Sequence, residues 1–193
     1  MSVPLDNEKE IDKLISDCLA HKQKAQFTLF KRYYSAMMNV CLRYADGYEE
    51  AQDMLNEGFI KIFANLDKYR DTGSFGAWMK RVMANAALDY QRKYHKSGVS
   101  SVSYDMVPEM EMTEKIENSA PGKLSYDELM SCIQQLPMMS KNVFNLYVFE
   151  NYTHQEIAEM LGIKEGTSHW HLNFARNRLK ILISQMENPD HRP

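Results

Sequence analysis

Apolar residues recur along this chain at intervals of three and four, the spacing that collects them on one face of an α-helix. Phe27, Phe30, Tyr34, Met37, Cys41 and Tyr44 form one such stripe. Ala51, Leu55, Gly58, Phe59, Ile62 and Leu66 form a second, and Phe75, Met79, Val82 and Ala86 begin a third that runs into basic residues near Lys96. A shorter helix is predicted over Glu8 to Leu19, with Asp6 or Asn7 as its cap. Together these four helices predict a bundle over residues 7–96. From Ser97 the pattern lapses. The stretch "SGVSSVSYDMVPEMEMTEKIENSAPGKLS" is rich in Ser, Met and Glu and contains Pro108 and the Pro121-Gly122 turn. Residues 97–124 are therefore predicted to be a flexible linker. Helical periodicity resumes at Tyr126, with Leu129, Cys132, Ile133 and Leu136 ahead of Pro137, then Val143, Leu146, Tyr147 and Phe149. No stretch alternates with the period of a strand. The predicted class is all-α: two small helical domains, 7–96 and 125–187, joined by an acidic linker.

The second domain contains "YTHQEIAEMLGIKEGTSHWHLNFARNRLKILI", a short helix, a glycine turn and a long helix. Thr153 with Glu156 three residues on has the form of a capping box. Ile157 and Leu161 point inward, Ala158 is small where two helix backbones approach, Gly162 suits a left-handed helix end, and Ile163 plugs the turn. These residues predict a helix-turn-helix, a unit that lays its second helix in the major groove; an ordinary helical hairpin is the alternative. At about 100° per residue, Leu172, Ala175, Leu179 and Leu182, extended by Ser168, define the buried stripe of the long helix. Trp170, Asn173 and Asn177 then face away, flanked by His169 and Phe174, and Trp170 is predicted to be exposed. His169 and His171 point to different faces with no third ligand at metal spacing, so hydrogen bonds to phosphate or base are favoured over zinc.

Charge sharpens this picture. The 193 residues carry a net charge of −3, and 44% are hydrophobic, enough for a folded core. Ala77 to Lys96 carries a balance of +4, Lys164 to Lys180 of +3, and Ser101 to Glu128 of −5. Two basic patches separated by an acidic stretch suit two contacts with one polyanion. On the helix from Ser74 to Lys96, with the stripe centred on Val82 taken as buried, Arg81, Asn85, Leu88 and Arg92 lie along the flank. That flank offers cations for phosphates and an amide for a base. Asp89 falls on the buried side, where it needs a cation partner. Phe75, Trp78 or Tyr69 could stack on a base, although Trp78 reads better as core. Asp53, Asn56 and Glu57 lie opposite Leu55, Phe59 and Ile62, which by default is a solvated face. The sequence contains no Glu-x-x-His, no nucleophile–base pair and no phosphate-binding glycine loop, so neither enzyme chemistry nor any cofactor or metal is expected. Cys18, Cys41 and Cys132 read as reduced thiols of a cytoplasmic protein, and no run reaches the roughly 18 apolar residues of a membrane span.

Three segments in this order resemble the extracytoplasmic-function class of sigma-70 family RNA polymerase sigma factors. "AQDMLNEGFIKIFANLDKY" is similar to that family's polymerase-binding segment, "FGAWMKRVMANAALDYQRK" to its promoter-reading helix, and "LPMMSKNVFNLYVFENYTHQEIAEMLGIKEGTSHWHLNFARNRLK" to its C-terminal domain. The resemblance implies that Asp53, Asn56 and Glu57 dock on the clamp of core RNA polymerase, with the flap as a further contact. It implies that Asn85 and the loop from Arg70 to Gly76 hold a base flipped from the minus-ten element, within a set comprising Arg70, Phe75, Arg81, Asn85, Leu88, Arg92 and Lys93. For the minus-35 element it implies a set comprising Thr153, Lys164, Thr167, His169, Trp170, Asn173, Phe174 and Arg176, with Lys164, Thr167 and Arg176 as candidates for phosphate contacts and His169, Trp170, Asn173 and Phe174 for base contacts. It also implies promoter DNA and a possible anti-sigma factor as partners, with the linker threading through the polymerase. The chain departs from the family pattern at Asn56, usually Gln, at Ala84, frequently Arg, and in "TSHWH", usually Thr-Val-basic-Ser-basic. With few arginines on the recognition helix, weak binding to isolated DNA is expected, with specificity from apolar contacts such as thymine methyl groups. The alternatives are a self-sufficient helix-turn-helix regulator and a helical adaptor that binds only protein.

Overall fold

The computed structural model describes residues 8–70, 73–94 and 125–187. These fall into two compact units divided between Lys96 and Ser97. The linker expected over 97–124 and the caps expected at Asp6 or Asn7 lie outside the described residues.

The first unit comprises α1 (Glu8–Leu19), α2 (Gln23–Tyr44), α3 (Tyr48–Ala64), a 3-10 turn (Leu66–Lys68) and α4 (Phe75–Tyr94). Helices α2, α3 and α4 pack mutually, and α1 lies against α2 and the 3-10 turn. The buried line of α2 runs through Ala25, Leu29, Tyr33, Met37, Cys41 and Tyr44. This corrects the expected stripe at its N-terminal end. Phe27 is exposed, and Phe30 and Tyr34 are half-buried, because the line steps by four from Ala25 and leaves Phe27 on the far side. Methionines 37, 54, 79 and 83 are fully buried and fill the space between the three helices. Gly58 marks the closest approach of α3 and α4. A Cβ there would collide with Met83 Sδ and lie 2.7 Å from its Cε.

The second unit contains α5 (Tyr126–Gln134), α6 (Met138–Val148), α7 (His154–Leu161) and α8 (Glu165–Glu187). Helix α8 is its spine, contacted by α5, α6 and α7. Its buried stripe is Ser168, Leu172, Ala175, Leu179 and Leu182, as the periodicity predicts. Each of α5 and α7 begins with a reciprocal capping box, Ser125 with Glu128 and Thr153 with Glu156. Such a cap contributes about 1 kcal/mol to its helix. Gly162 ends α7 in the left-handed conformation at φ 68° and aims α8 away from it. Asn151, at φ 56°, makes the preceding corner, a conformation that Asn tolerates better than most residues. No strand occurs among the described residues.

All three cysteines are buried free thiols. Burial pushes the Cys41 thiol up to about 12, which keeps it protonated and unreactive. No helix among the described residues is long and apolar enough to cross a membrane.

Candidate functional site

Helix α4 carries the first candidate surface. Arg81, Asn85 and Arg92 are exposed along one face, as their spacing requires. Leu88 is not part of that face, being only 3% exposed. Both α2 and α3 pack on α4, so its buried arc is wider than a single stripe and takes in Ala84, Ala87, Leu88 and Gln91. For the same reason the stripe centres near Met83, and Val82 is half-buried on its edge. Ala84, where the family often carries Arg, sits wholly inside the bundle. Phe75 is also corrected. It is 4% exposed, packed against Tyr33, Tyr69 and Trp78 at ring-centroid distances of 5.6, 5.1 and 5.7 Å. The half-buried Tyr69 and Trp78, not Phe75, present the ring surface of this cluster. Arg70 is exposed, and its Nη1 donates to the Asp67 carbonyl at 2.8 Å, closing the turn beneath them.

Asp89 has the expected cationic partners but not the expected burial. Its side chain is half exposed and accepts from Lys61 Nζ at 2.7 Å and Arg92 Nη1 at 2.8 Å. Exposed pairs of this kind contribute about 0–1 kcal/mol each, so their main effect is to orient Arg92. At the end of α4, the Tyr90 hydroxyl donates to Asp53 at 3.2 Å, and Lys93 lies 3.5 Å from Glu57. Two of the three residues expected to contact polymerase, Asp53 and Glu57, are therefore tied to α4. Asn56 is exposed on the outer face of α3 beside Asp53. Ile60, 69% exposed one turn further on, was not singled out from the sequence. A lone apolar residue outside the buried stripe gives no periodic signal.

The second surface is built on α8. Lys164, His169, Asn173 and Arg176 are exposed, and Thr167 is half-buried. The Thr153 hydroxyl is committed to its cap, accepting from the Glu156 amide at 3.3 Å and donating to the Glu156 carboxylate at 2.8 Å. Trp170 differs from expectation in being half-buried, because Phe174, one turn later, stacks on it at 5.3 Å and 19°. The pair forms an aromatic ledge beside the polar edge of the helix. His171 is turned into the core and shares a 2.9 Å hydrogen bond with Ser140, so it cannot contact phosphate or base. Burial lowers its pKa.

On the opposite flank a histidine not singled out from the sequence, His154, joins three helices. Its ring stacks on Tyr147 of α6 at 4.6 Å and lies 3.6 Å from the ring of His169 on α8. Its Nδ1 is 2.9 Å from Ser168 Oγ. Arg176 lies over the outer side of this stack, 5.7 Å from the Tyr147 ring, and Glu165 is 3.8 Å from His169 Nε2. Among the described residues no group of three or more His, Cys, Asp or Glu is placed to hold a metal.

Two helical units, one ending in a basic helix and one closing on a helix-turn-helix with polar and aromatic edges, define a DNA-binding transcription protein. The family model for sigma-70 region 2 matches residues 29–97, and that for sigma-70 region 4 matches residues 126–179. The extracytoplasmic-function RNA polymerase sigma factor SigW of Bacillus subtilis is 27% identical over 192 residues, covering 93% of this chain and 100% of that protein. SigE of Mycolicibacterium smegmatis, of the same class, is 24% identical over 81% of this chain but only 61% of its own length. The fold also matches the sigma factor RpoE of Bartonella quintana, solved in complex with the anti-sigma factor NepR. Identity there is 16% and the TM-score 0.52, over 81% of this chain and 95% of that one. The chain belongs to the sigma-70 family, in its extracytoplasmic-function class of RNA polymerase sigma factors, which direct transcription initiation.

Proposed function

We propose that the unit spanning 7–96 engages the minus-ten element and helps open the duplex, while the unit spanning 125–187 engages the minus-35 element, with 97–124 connecting them. The observation that carries this reading is the shared face of Arg81, Asn85 and Arg92, two cations around one amide, on the helix matched by region 2. Cations held on phosphates position a strand, and an amide can then hydrogen-bond an unstacked base. Extruding a base costs a few kcal/mol, which such a pocket offsets only after strand opening. Arg70 and Lys93 extend the cationic path, and Tyr69 with Trp78 supplies the stacking surface in place of Phe75.

On α8, Lys164, Thr167 and Arg176 contact phosphates, while His169, Asn173 and the Trp170–Phe174 ledge meet base edges and thymine methyl groups. Thr153 acts through its cap rather than through a phosphate. Asp53, Asn56 and Glu57, now with Ile60, dock on the polymerase clamp, and the second unit contacts the flap. The protein acts in the cytoplasm, catalyses no reaction of its own and uses no cofactor. An anti-sigma protein is a further partner in this reading, supported by the RpoE–NepR complex.

Run-off transcription from a genomic promoter pool, with and without this protein added to core polymerase, tests the reading. Initiation should be redirected to a distinct promoter set, and substitution of Arg81, Asn85 and Arg92 should abolish the redirection. A folded protein in excess that leaves the start sites unchanged contradicts it.

A further inference from the structure

We propose that His154 is a positioning residue for the minus-35 contact: its neutral imidazole, tied to Ser168 and stacked against His169, holds His169 on the DNA-facing flank of α8, and protonation releases it. This rests on the reading of α8 as the minus-35 helix. His154 follows directly on the Thr153 cap, so its backbone is fixed by the reciprocal bonds of the capping box. Its ring is 9% exposed, and the Ser168 hydroxyl it meets is fully buried, so water does not compete for that bond. From this anchored position the ring presents one surface to His169 at 3.6 Å. His169 has no comparable support of its own. It is exposed, and its Glu165 contact at 3.8 Å is long and solvated.

The charged and titratable groups around His154 come from two other helices. Helix α6 supplies Tyr147, and α8 supplies Glu165, His169 and Arg176. A proton on His154 would be opposed first by burial, then by His169 and Arg176, with only Glu165 in its favour, and its pKa is lowered accordingly. With the two imidazole rings 3.6 Å apart and Arg176 nearby, a proton on His154 meets like charge, which separation of the rings relieves. Acidification therefore acts on the contact that orients His169.

The test uses holoenzyme reconstituted with core polymerase. Its probe is a promoter fragment recovered from the run-off selection, compared with the same fragment carrying a scrambled minus-35 element. Discrimination between the two should be level above about pH 6.5 and fall about tenfold as the pH is lowered beneath it, because the His154 pKa lies under the ordinary 6.5. His154→Phe keeps a stacking ring without a titratable nitrogen, and His154→Gln keeps a partner for Ser168. Both should flatten the pH profile, whichever of them folds better. Profiles for both variants that superimpose on the wild type overturn the proposal. So does tighter discrimination at acid pH, the sign expected of an imidazolium on phosphate. His169→Ala separates the two levels. If it leaves minus-35 discrimination intact, the α8 assignment itself fails. If it weakens discrimination while the His154 variants retain the wild-type profile, only the positioning role fails.

Discussion

The two candidate DNA surfaces are built by different chemistry. On α4 the face is polar and open, with Arg92 oriented by the half-exposed Asp89 and the Asn85 amide lying between the two cations. On α8 the corresponding side chains are packed ring on ring, with Trp170 on Phe174 along one edge and, along the other, His169 against His154, which itself stacks on Tyr147. The first surface suits a strand whose bases have left the helix, where reach and charge matter. The second suits an intact major groove, where a rigid shape must be matched. Holding large side chains rigid before contact reduces the ordering cost of binding.

The largest effects should come from stripping the open face. Asn85→Ala should weaken promoter-complex formation by about 1–3 kcal/mol, roughly tenfold to a hundredfold, as measured by run-off yield from the selected promoter. Arg81→Ala should cost less, and its loss should be recovered by lowering the salt. If Asn85→Ala is silent, the amide is a bystander and the face is no more than a phosphate track.

The scaffolds under the two surfaces differ in the same way. The first depends on a close helix crossing, so Gly58→Leu should destabilise its unit by about 2–3 kcal/mol through overpacking against Met83. Gly58→Ala should cost less, because the gain of about 1 kcal/mol in helix propensity offsets part of the clash. The second depends on a turn, where Gly162→Ala should cost about 1–2 kcal/mol for a β-carbon at positive φ. The chain's two tryptophans, Trp78 and Trp170, allow thermal unfolding of each unit to be followed by fluorescence in the corresponding single-tryptophan background.

The smallest expected effect is on stability with pH. His154 and His171 have folded pKa values below the ordinary 6.5. The unfolded chain therefore takes up more protons as pH drops through 6.5. Stability of the second unit should be full above that value and decline below it, levelling only beneath the lowered folded pKa values. The first unit contains no buried histidine among its described residues and should show no matching decline. Equal acid sensitivity of the two units would remove this contrast.

What could be read from sequence follows the range of the forces involved. The bounds of α1, the Thr153–Glu156 box, the left-handed Gly162 and the buried stripe of α8 are decided within a few residues, and all stand as predicted. Leu88 was misplaced because a single-helix wheel assumes one buried stripe, whereas two helices pack on α4. Phe75 is buried on the stripe that periodicity predicts, and only the family resemblance had set it among the DNA contacts. Trp170 is half-buried because its cover is a neighbour on its own helix, which a division into inside and outside does not register. His154 lies furthest from sequence reasoning. Its partners come from α6 and α8, and only the fold brings them to one histidine.

In the proposed function α4 reads the minus-ten element and α8 the minus-35 element. A crossed set of substitutions in protein and promoter tests it most directly. Holoenzymes carrying wild-type protein, Asn85→Ala or Trp170→Ala would be titrated onto promoter fragments altered at one element or the other. Asn85→Ala should lose sensitivity to changes in the minus-ten element and keep it at minus-35, and Trp170→Ala should do the reverse. Either variant losing discrimination at the opposite element, or at both equally, would contradict the assignment of the two surfaces.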